Sequence, residues 1–378
     1  MKRNIFAGAL TILTAISLMT SCTKKTDELV IGEYGSLTGN DATFGQSTHK
    51  GIQMAIDEIN AAGGIKGKKI KLITYDDQGK PDEAASVVKR LITQDKVIAI
   101  IGEVASGRTM AAAPIAQQYK IPMISPSSTN PEVTKKGDYI FRICFIDPFQ
   151  GYVAAKFATE NLKFKKAAIL RDIKNDYSVG LADVFAAEFK KMGGTIVLDQ
   201  SYQGNDLDFN AQLTQVKSKN PDVIFVPGYY TEVGLIALQA RKLGINAPLL
   251  GGDGWDSDKL NEIGKEAING SYFSNHYTSE STDPVVQDFI KRFKEKYSGE
   301  VADGLAALGY DAMKILAQSI ERLTEVTPEN IKNEIAKTTD FPGVTGKITI
   351  NGERNAVKSA VIVQVDNEKR KYITTVNP

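Results

Sequence analysis

The sequence predicts an α/β protein built as two parallel-sheet units, and three observations carry that prediction. Short runs rich in β-branched residues alternate with stretches whose apolar residues recur at helical spacing. The run VIAII at 97–101 is apolar throughout, as a strand covered on both faces requires. A second set of the same strand–helix units begins after Pro148, which makes two α/β domains a better description than one large sheet.

Each element follows from its own pattern. LVIG at 29–32 is a strand, and 49–60 is a helix with Ile52, Ala55, Ile56 and Ile59 on one face. The alternating stretch 69–75 is the next strand, and 81–94 is a helix with Ala84, Val87, Val88 and Leu91 turned inward. Strand 97–101, helix 109–119 and strand 122–125 complete the first set. In the second set, helix 151–161 leads to strand 166–171, helix 180–192, strand 195–199 and helix 209–218. Strand 223–226, helix 232–243 and strand 248–251 follow. Residues 284–323 read as mostly helical, and the chain closes with two alternating strands, 346–350 and 359–365, joined by a Gly-rich turn.

Composition narrows the function. The 378 residues are 42% apolar and 24% charged, enough to bury a core, and Lys+Arg 46 against Asp+Glu 45 gives a net charge of +1. That balance argues against a nucleic-acid surface, which carries a basic excess. Two His and two Cys are too few for a zinc site or a disulfide framework. Residues 1–21 read as a secretory signal: Lys2 and Arg3 precede an apolar run at 5–19, shorter than the ~20 residues of a bilayer span. The run ends in LMTSC at 18–22, similar to a bacterial lipobox in which Cys22 is lipidated and becomes the mature N-terminus. Met19 departs from that pattern, where Leu is commoner, and the alternative is a plain signal peptide with an incidental cysteine. Residues 22–28 then form a lipid-anchored tether. Cys144, inside the apolar run YIFRICF at 139–145, reads as a buried thiol.

Enzyme motifs are not matched. GEYGSLTG at 32–39 does not have the dinucleotide-binding glycine spacing, and GGIKGKK at 63–69 resembles a phosphate loop in composition only. Ser106 lies between a strand and a helix, where a hydrolase nucleophile sits. It lacks the Gly-x-Ser-x-Gly frame, however, and His49 and His276 show no obvious acid partner. Asp76-Asp77 reads as a solvated turn in preference to a metal pair.

AIDEINAAGGIKG at 55–67, followed by YDD at 75–77, resembles the opening of the leucine/isoleucine/valine-binding proteins, type I substrate-binding proteins of ABC importers. IG at 101–102 leading to Ser106, ISPSSTNP at 124–131, GYY at 228–230 and QAR at 239–241 extend the resemblance to nearly the whole mature chain. It implies a type I periplasmic-binding-protein fold, with two Rossmann-like parallel-sheet lobes joined by three crossovers and a ligand in the cleft between them. Lobe one would be about 29–146 plus 278–345, and lobe two about 147–277 plus 346–378.

A free amino acid carries a carboxylate and an ammonium, and burying both requires polar partners for each. SGRT at 106–109 opens a helix, so its N–H groups and the Ser106 hydroxyl suit a carboxylate. The resemblance implies that Ser127 offers its carbonyl to the ammonium, and that Thr129 offers its hydroxyl and N–H. It also makes Asp253, in GGDG at 251–254, the acidic partner of the ammonium, with Asp where the branched-chain binders have Glu. The bland readings are a turn residue for Asp253 and a helix cap for Ser106. Phe44, Tyr177 and Tyr229 align with aromatic positions that wall the ligand, and each could equally be core packing. Trp255 faces either the cleft or the lobe interior. Leu305 stands near the remaining wall position, and Glu103 and Arg108 are departures near the carboxylate end.

The resulting expectation is a non-enzymatic, monomeric receptor, lipid-anchored on the periplasmic or cell-surface side of a bacterial membrane. It binds an amino acid and delivers it to an ABC-transporter permease, with no cofactor, metal or nucleic acid. The alternative is a receptor of the same fold feeding a signalling partner.

Overall fold

A computed structural model describes residues 28–367 and 369–378. The expected signal at 1–21, Cys22 and the tether up to residue 27 lie outside the described residues.

The first sheet alternates with its helices in chain order: β1 (Leu29–Gly35), α1 (Ala42–Ala61), β2 (Ile70–Asp76), α2 (Pro81–Thr93), β3 (Ala99–Ile101), α3 (Ser106–Gln118), β4 (Met123–Ser125) and β5 (Ile140–Arg142). Its spatial order is β2-β1-β3-β4-β5, with every pairing parallel. All three β3 residues are buried, as the apolar run predicts. Short βα connections of this kind leave the carboxyl ends of the strands along one edge, where ligands of such sheets bind.

The second sheet begins after α4 (Asp147–Lys156). It comprises β6 (Lys166–Asp172), α5 (Asp176–Lys191), β7 (Thr195–Tyr202), α6 (Asn210–Lys219), β8 (Val223–Phe225), α7 (Tyr230–Lys242), β9 (Leu249–Gly251), α8 (Lys259–Gly264) and β10 (Tyr272–Asn275). The chain then returns to the first unit through α9 (Pro284–Lys296), α10 (Gly304–Glu321) and α11 (Pro328–Ile335). It folds β11 (Phe341–Gly343), β12 (Gly346–Ile350) and β13 (Ala356–Val357) into a small antiparallel sheet. Finally it adds β14 (Ala360–Asp366) and β15 (Lys369–Val376) to the second sheet, whose order is β15-β14-β10-β9-β8-β6-β7. β14 runs antiparallel to both β10 and β15, so this sheet is parallel only across its other five strands.

Two expectations for the C-terminal stretch need correction. The strands 346–350 and 359–365 are not partners: Asn351 accepts the N–H groups of Glu353 (2.9 Å) and Asn355 (3.0 Å), turning β12 back onto β13. The strand at 359–365 pairs instead with β10 and β15. The division expected at 345/346 falls inside the β11–β12 hairpin, where Gly343 lies opposite Gly346. Beyond it, Arg354 and Asn355 bond to Arg142 and Thr134 of the five-stranded unit. The chain leaves that unit at Lys358.

Three segments therefore connect the two sheets, at 143–146, 276–283 and 358–359. Cys144 lies on the first, fully buried, and burial pushes its thiol up to about 12. Within the five-stranded lobe, α1 and α10 pack backbone to backbone. A Cβ on Gly51 would stand 1.9 Å from the Ala306 carbonyl oxygen, so only glycine permits this approach. The same packing holds Phe44 of α1 and Leu305 of α10 on one wall of the space between the lobes.

Candidate functional site

The carboxyl ends of β3, β4, β6, β8 and β9 converge between the lobes. Ser106 opens α3, Ser127 follows β4, Tyr177 sits in the first turn of α5, Tyr229 immediately precedes α7, and Asp253 follows β9. With Phe44, Val104, Gly254 and Leu305 they enclose a cavity of about 20 Å³. That is room for about one water molecule. Six of the seven residues expected at the site are thus brought together. The seventh, Thr129, is buried behind the wall, where its carbonyl accepts the Asp147 N–H at 3.0 Å and its hydroxyl faces the Asp147 carboxyl.

Asp253 is the centre of the arrangement. Its Oδ1 accepts Gln150 Nε2 at 2.8 Å and the Tyr177 hydroxyl at 3.1 Å. Its Oδ2 accepts the Ser127 hydroxyl at 3.1 Å and lies 3.0 Å from His276 Nε2. Burial would push this carboxyl up, but His276, Gln150 and Tyr177 outweigh it and hold it below the usual carboxylate range. The flanking glycines permit this grip. A Cβ on Gly252 would lie 2.3 Å from the Tyr177 hydroxyl and 3.0 Å from Gln150 Nε2. Asp253 is therefore more than a turn residue: its charge is buried and fully hydrogen-bonded.

The aromatic residues do line the cavity. Tyr177 and Tyr229 stack at 5.7 Å with 17° between their planes, and Phe44 meets Tyr229 edge to face at 5.2 Å. Asn175 caps α5 by accepting the N–H groups of Tyr177 (3.0 Å) and Ser178 (3.4 Å), which fixes where Tyr177 leaves the helix. Trp255 takes the interior option: it is fully buried and donates its indole N–H to the Val226 carbonyl at 2.9 Å. Ser127 meets Asp253 through its hydroxyl. Ser106 uses its hydroxyl to accept the Asn130 N–H at 3.2 Å.

Behind Ser106, Glu103 is buried and accepts the Ser36 hydroxyl at 2.9 Å, with Arg108 Nε 3.1 Å away. Arg108 in turn donates to Asp41 at 2.8 Å. Glu103 therefore serves the interior of the five-stranded lobe. Arg108 lines a wider outer cleft of about 620 Å³, shared with Asp172, Lys174 and Glu232 of the other lobe. The expectation of a solvated Asp76-Asp77 turn holds for neither residue in full. Asp76 organises the turn by accepting the N–H groups of Leu37 (2.9 Å) and Gln78 (2.8 Å). Asp77 is buried against Ser36, and burial together with the Glu103 charge pushes its carboxyl up to about 7. Among the described residues no cluster of His, Cys, Asp and Glu is placed to hold a metal ion.

Sequence reasoning missed Gln150 and His276. Both histidines have acid partners after all, His49 with Glu33 at 2.7 Å and His276 with Asp253 at 3.0 Å. Neither pairing has a local signature, since His276 reaches Asp253 only once β9 and β10 lie side by side.

Comparison with known proteins agrees with this fold. Residues 28–370 match the family described as periplasmic binding protein. An amino acid binding protein of Pseudomonas aeruginosa is 32% identical over 98% of this chain and 99% of its own length. A Leu/Ile/Val-binding protein of Rhizobium johnstonii is 33% identical over 85% of this chain and 87% of its own. Among solved structures, a leucine-binding protein from Thermotoga maritima superposes with a TM-score of 0.88 at 40% identity, covering 93% of this chain and 99% of that one. A branched-chain amino acid transporter substrate-binding protein from Streptococcus pneumoniae, in complex with isoleucine, gives 0.88 at 37% identity, covering 93% and 100%.

Proposed function

The chain belongs to the periplasmic binding protein family, as a substrate-binding receptor and not an enzyme, and from that premise we propose that it captures a branched-chain or related amino acid between its lobes and delivers it to an ABC-transporter permease. The observation that carries this reading is the ionised Asp253 of one lobe set against Ser106 and the first turn of α3 in the other. A buried carboxylate matches an ammonium, and a helix N-terminus matches a carboxylate, so the pair suits a zwitterion. Phe44, Tyr177, Tyr229 and Leu305 supply the apolar wall that an aliphatic side chain needs.

In this reading Ser127 turns from Asp253 toward the ligand, and Thr129 swings its hydroxyl from Asp147 into the cleft when the lobes part. The cavity of about 20 Å³ is far smaller than an amino acid, so entry requires opening and binding drives closure about the three connecting segments. The family places the protein outside the cytoplasm. Anchoring through a lipid on Cys22 completes the proposal. Calorimetric titration of ligand-stripped protein with each of the twenty amino acids tests it. Saturable heat from leucine, isoleucine or valine is expected, and no heat from any amino acid overturns the assignment.

A further inference from the structure

We propose that His276 is a positioning residue: it presents the Asp253 carboxylate to the ligand ammonium and joins that carboxylate to the segments connecting the lobes. The inference rests on the amino-acid reading above and assigns a part that the reading does not.

His276 lies on the second connecting segment, and its ring stacks on Phe145 of the first, with centroids 3.7 Å apart and planes 22° apart. Its Nε2 is 3.0 Å from Asp253 Oδ2. A carboxylate only accepts, so Nε2 carries the hydrogen and Nδ1 keeps a lone pair, buried without a protein partner. Asp253 is thus held by the five-stranded lobe through Ser127, by the seven-stranded lobe through Gln150 and Tyr177, and by a connecting segment through His276. Of these donors only His276 can also bring a positive charge in the physiological range.

The charged groups acting on the ring are Asp253, which favours its protonation, and Lys358 of the third segment, which opposes it. Burial is the largest influence and pulls the imidazole below its ordinary value, so at neutral pH it is an uncharged donor and Asp253 keeps a full charge for the ammonium. Asp147 on α4 and Cys144 on the first segment act on the same neighbourhood, and burial pushes them up to about 8 and about 12. Once acid charges His276, the Asp253 charge is matched from inside the protein and the ammonium meets a neutral pair.

The test is the pH profile of isoleucine affinity between pH 5 and 8, measured by calorimetry on the wild-type protein, His276→Gln and His276→Phe. Wild type is expected to lose affinity on the order of tenfold toward the acid end. His276→Gln keeps an N–H donor and cannot titrate, so it should bind within a few-fold of wild type at pH 7.5 and lack the acid loss. His276→Phe should bind at least tenfold more weakly at every pH. Parallel profiles for wild type and His276→Gln overturn the proposal even if His276→Phe fails to fold. Binding of none of the twenty amino acids by wild type overturns the amino-acid reading itself, and this proposal with it.

Discussion

The carboxylate of Asp256, in the seven-stranded lobe, accepts the backbone N–H of Gly304 at 2.7 Å, capping the first turn of α10 in the other lobe. The same oxygen accepts Asn275 Nδ2 at 2.8 Å, which aims it. Gly304 leaves the space this needs, since a Cβ there would lie 2.9 Å from that oxygen. The next residue, Leu305, lines the cavity, so an interlobe bond sits one residue from the ligand wall. Thr43 with Ser257 (2.9 Å) and Tyr230 with the Asn40 carbonyl (2.6 Å) join the lobes along the same seam.

Asp256→Ala should therefore weaken ligand binding although Asp256 does not line the cavity. Loss of a helix cap costs about 0.5–2 kcal/mol, and at about 1.4 kcal/mol per factor of ten this is roughly two- to thirty-fold in Kd. Calorimetry with isoleucine measures it. Wild-type affinity would mean that closure does not draw on this cap.

Asp253→Asn should cost far more. It preserves shape and removes the charge opposite the ammonium, and breaking one side of a buried pair costs about 3–5 kcal/mol, a hundred- to several-thousand-fold in Kd. Tyr229→Phe keeps the ring and serves as the shape control. Near wild-type titration of Asp253→Asn would reduce Asp253 to a structural residue.

Asp147 gives the protein a pH-dependent stability. Burial, with the Asp253 charge, pushes its carboxyl up to about 8 against the opposing pull of the Thr129 hydroxyl and the Arg142 charge. In the unfolded chain it titrates near about 4, so between about pH 4 and pH 8 the folded state holds a proton that the unfolded state has lost. Stability must then fall as pH rises through that window. Asp147→Asn, neutral in both states, should gain stability over wild type as pH rises, by an amount on the order of 5 kcal/mol at pH 8, and the gain should shrink toward pH 4. Calorimetric unfolding of both proteins at several pH values checks this. Asp77 and Asp303, each pushed up to about 7, carry the same sign in both proteins and cancel in the difference. A constant gain at all pH values would show that Asp147 is ionised in the fold.

Cys22→Ala should move the protein from the membrane fraction to the soluble exported fraction. Multiple acyl chains at that position would give stable attachment, where one chain gives only a marginal hold. Unchanged fractionation would remove the lipid anchor from the proposal.

The parallel strands and their helices were legible because burial on both faces leaves continuous apolar runs such as 97–101, and because helical faces repeat at 52, 55, 56 and 59. The C-terminal strands were legible as strands but not as partners, since alternation reports which face is buried and says nothing of the neighbour. The turn at Asn351 decided it. Asp253, Tyr177 and Tyr229 came from resemblance and the structure places them together. Gln150 and His276 had no such cue: each is one polar residue in an ordinary helix or strand end, and its meaning arises only from what β9 brings beside it. Thr129 shows the converse, a motif position whose side chain the closed arrangement leaves off the wall.

The burial of Cys144 within the first connecting segment makes the proposed hinge measurable in time. A thiol pushed up to about 12 and shut away from solvent does not meet an alkylating reagent until the segment around it opens. Since the sequence has only one other cysteine, Cys22, the labelling rate of Cys22→Ala protein would be a clock for transient unfolding of the hinge itself. Lobe separation that leaves the connections intact would not advance that clock. Comparing it with scattering measurements of lobe opening would tell whether the hinge bends as a folded spring or must come apart locally each time the cleft opens.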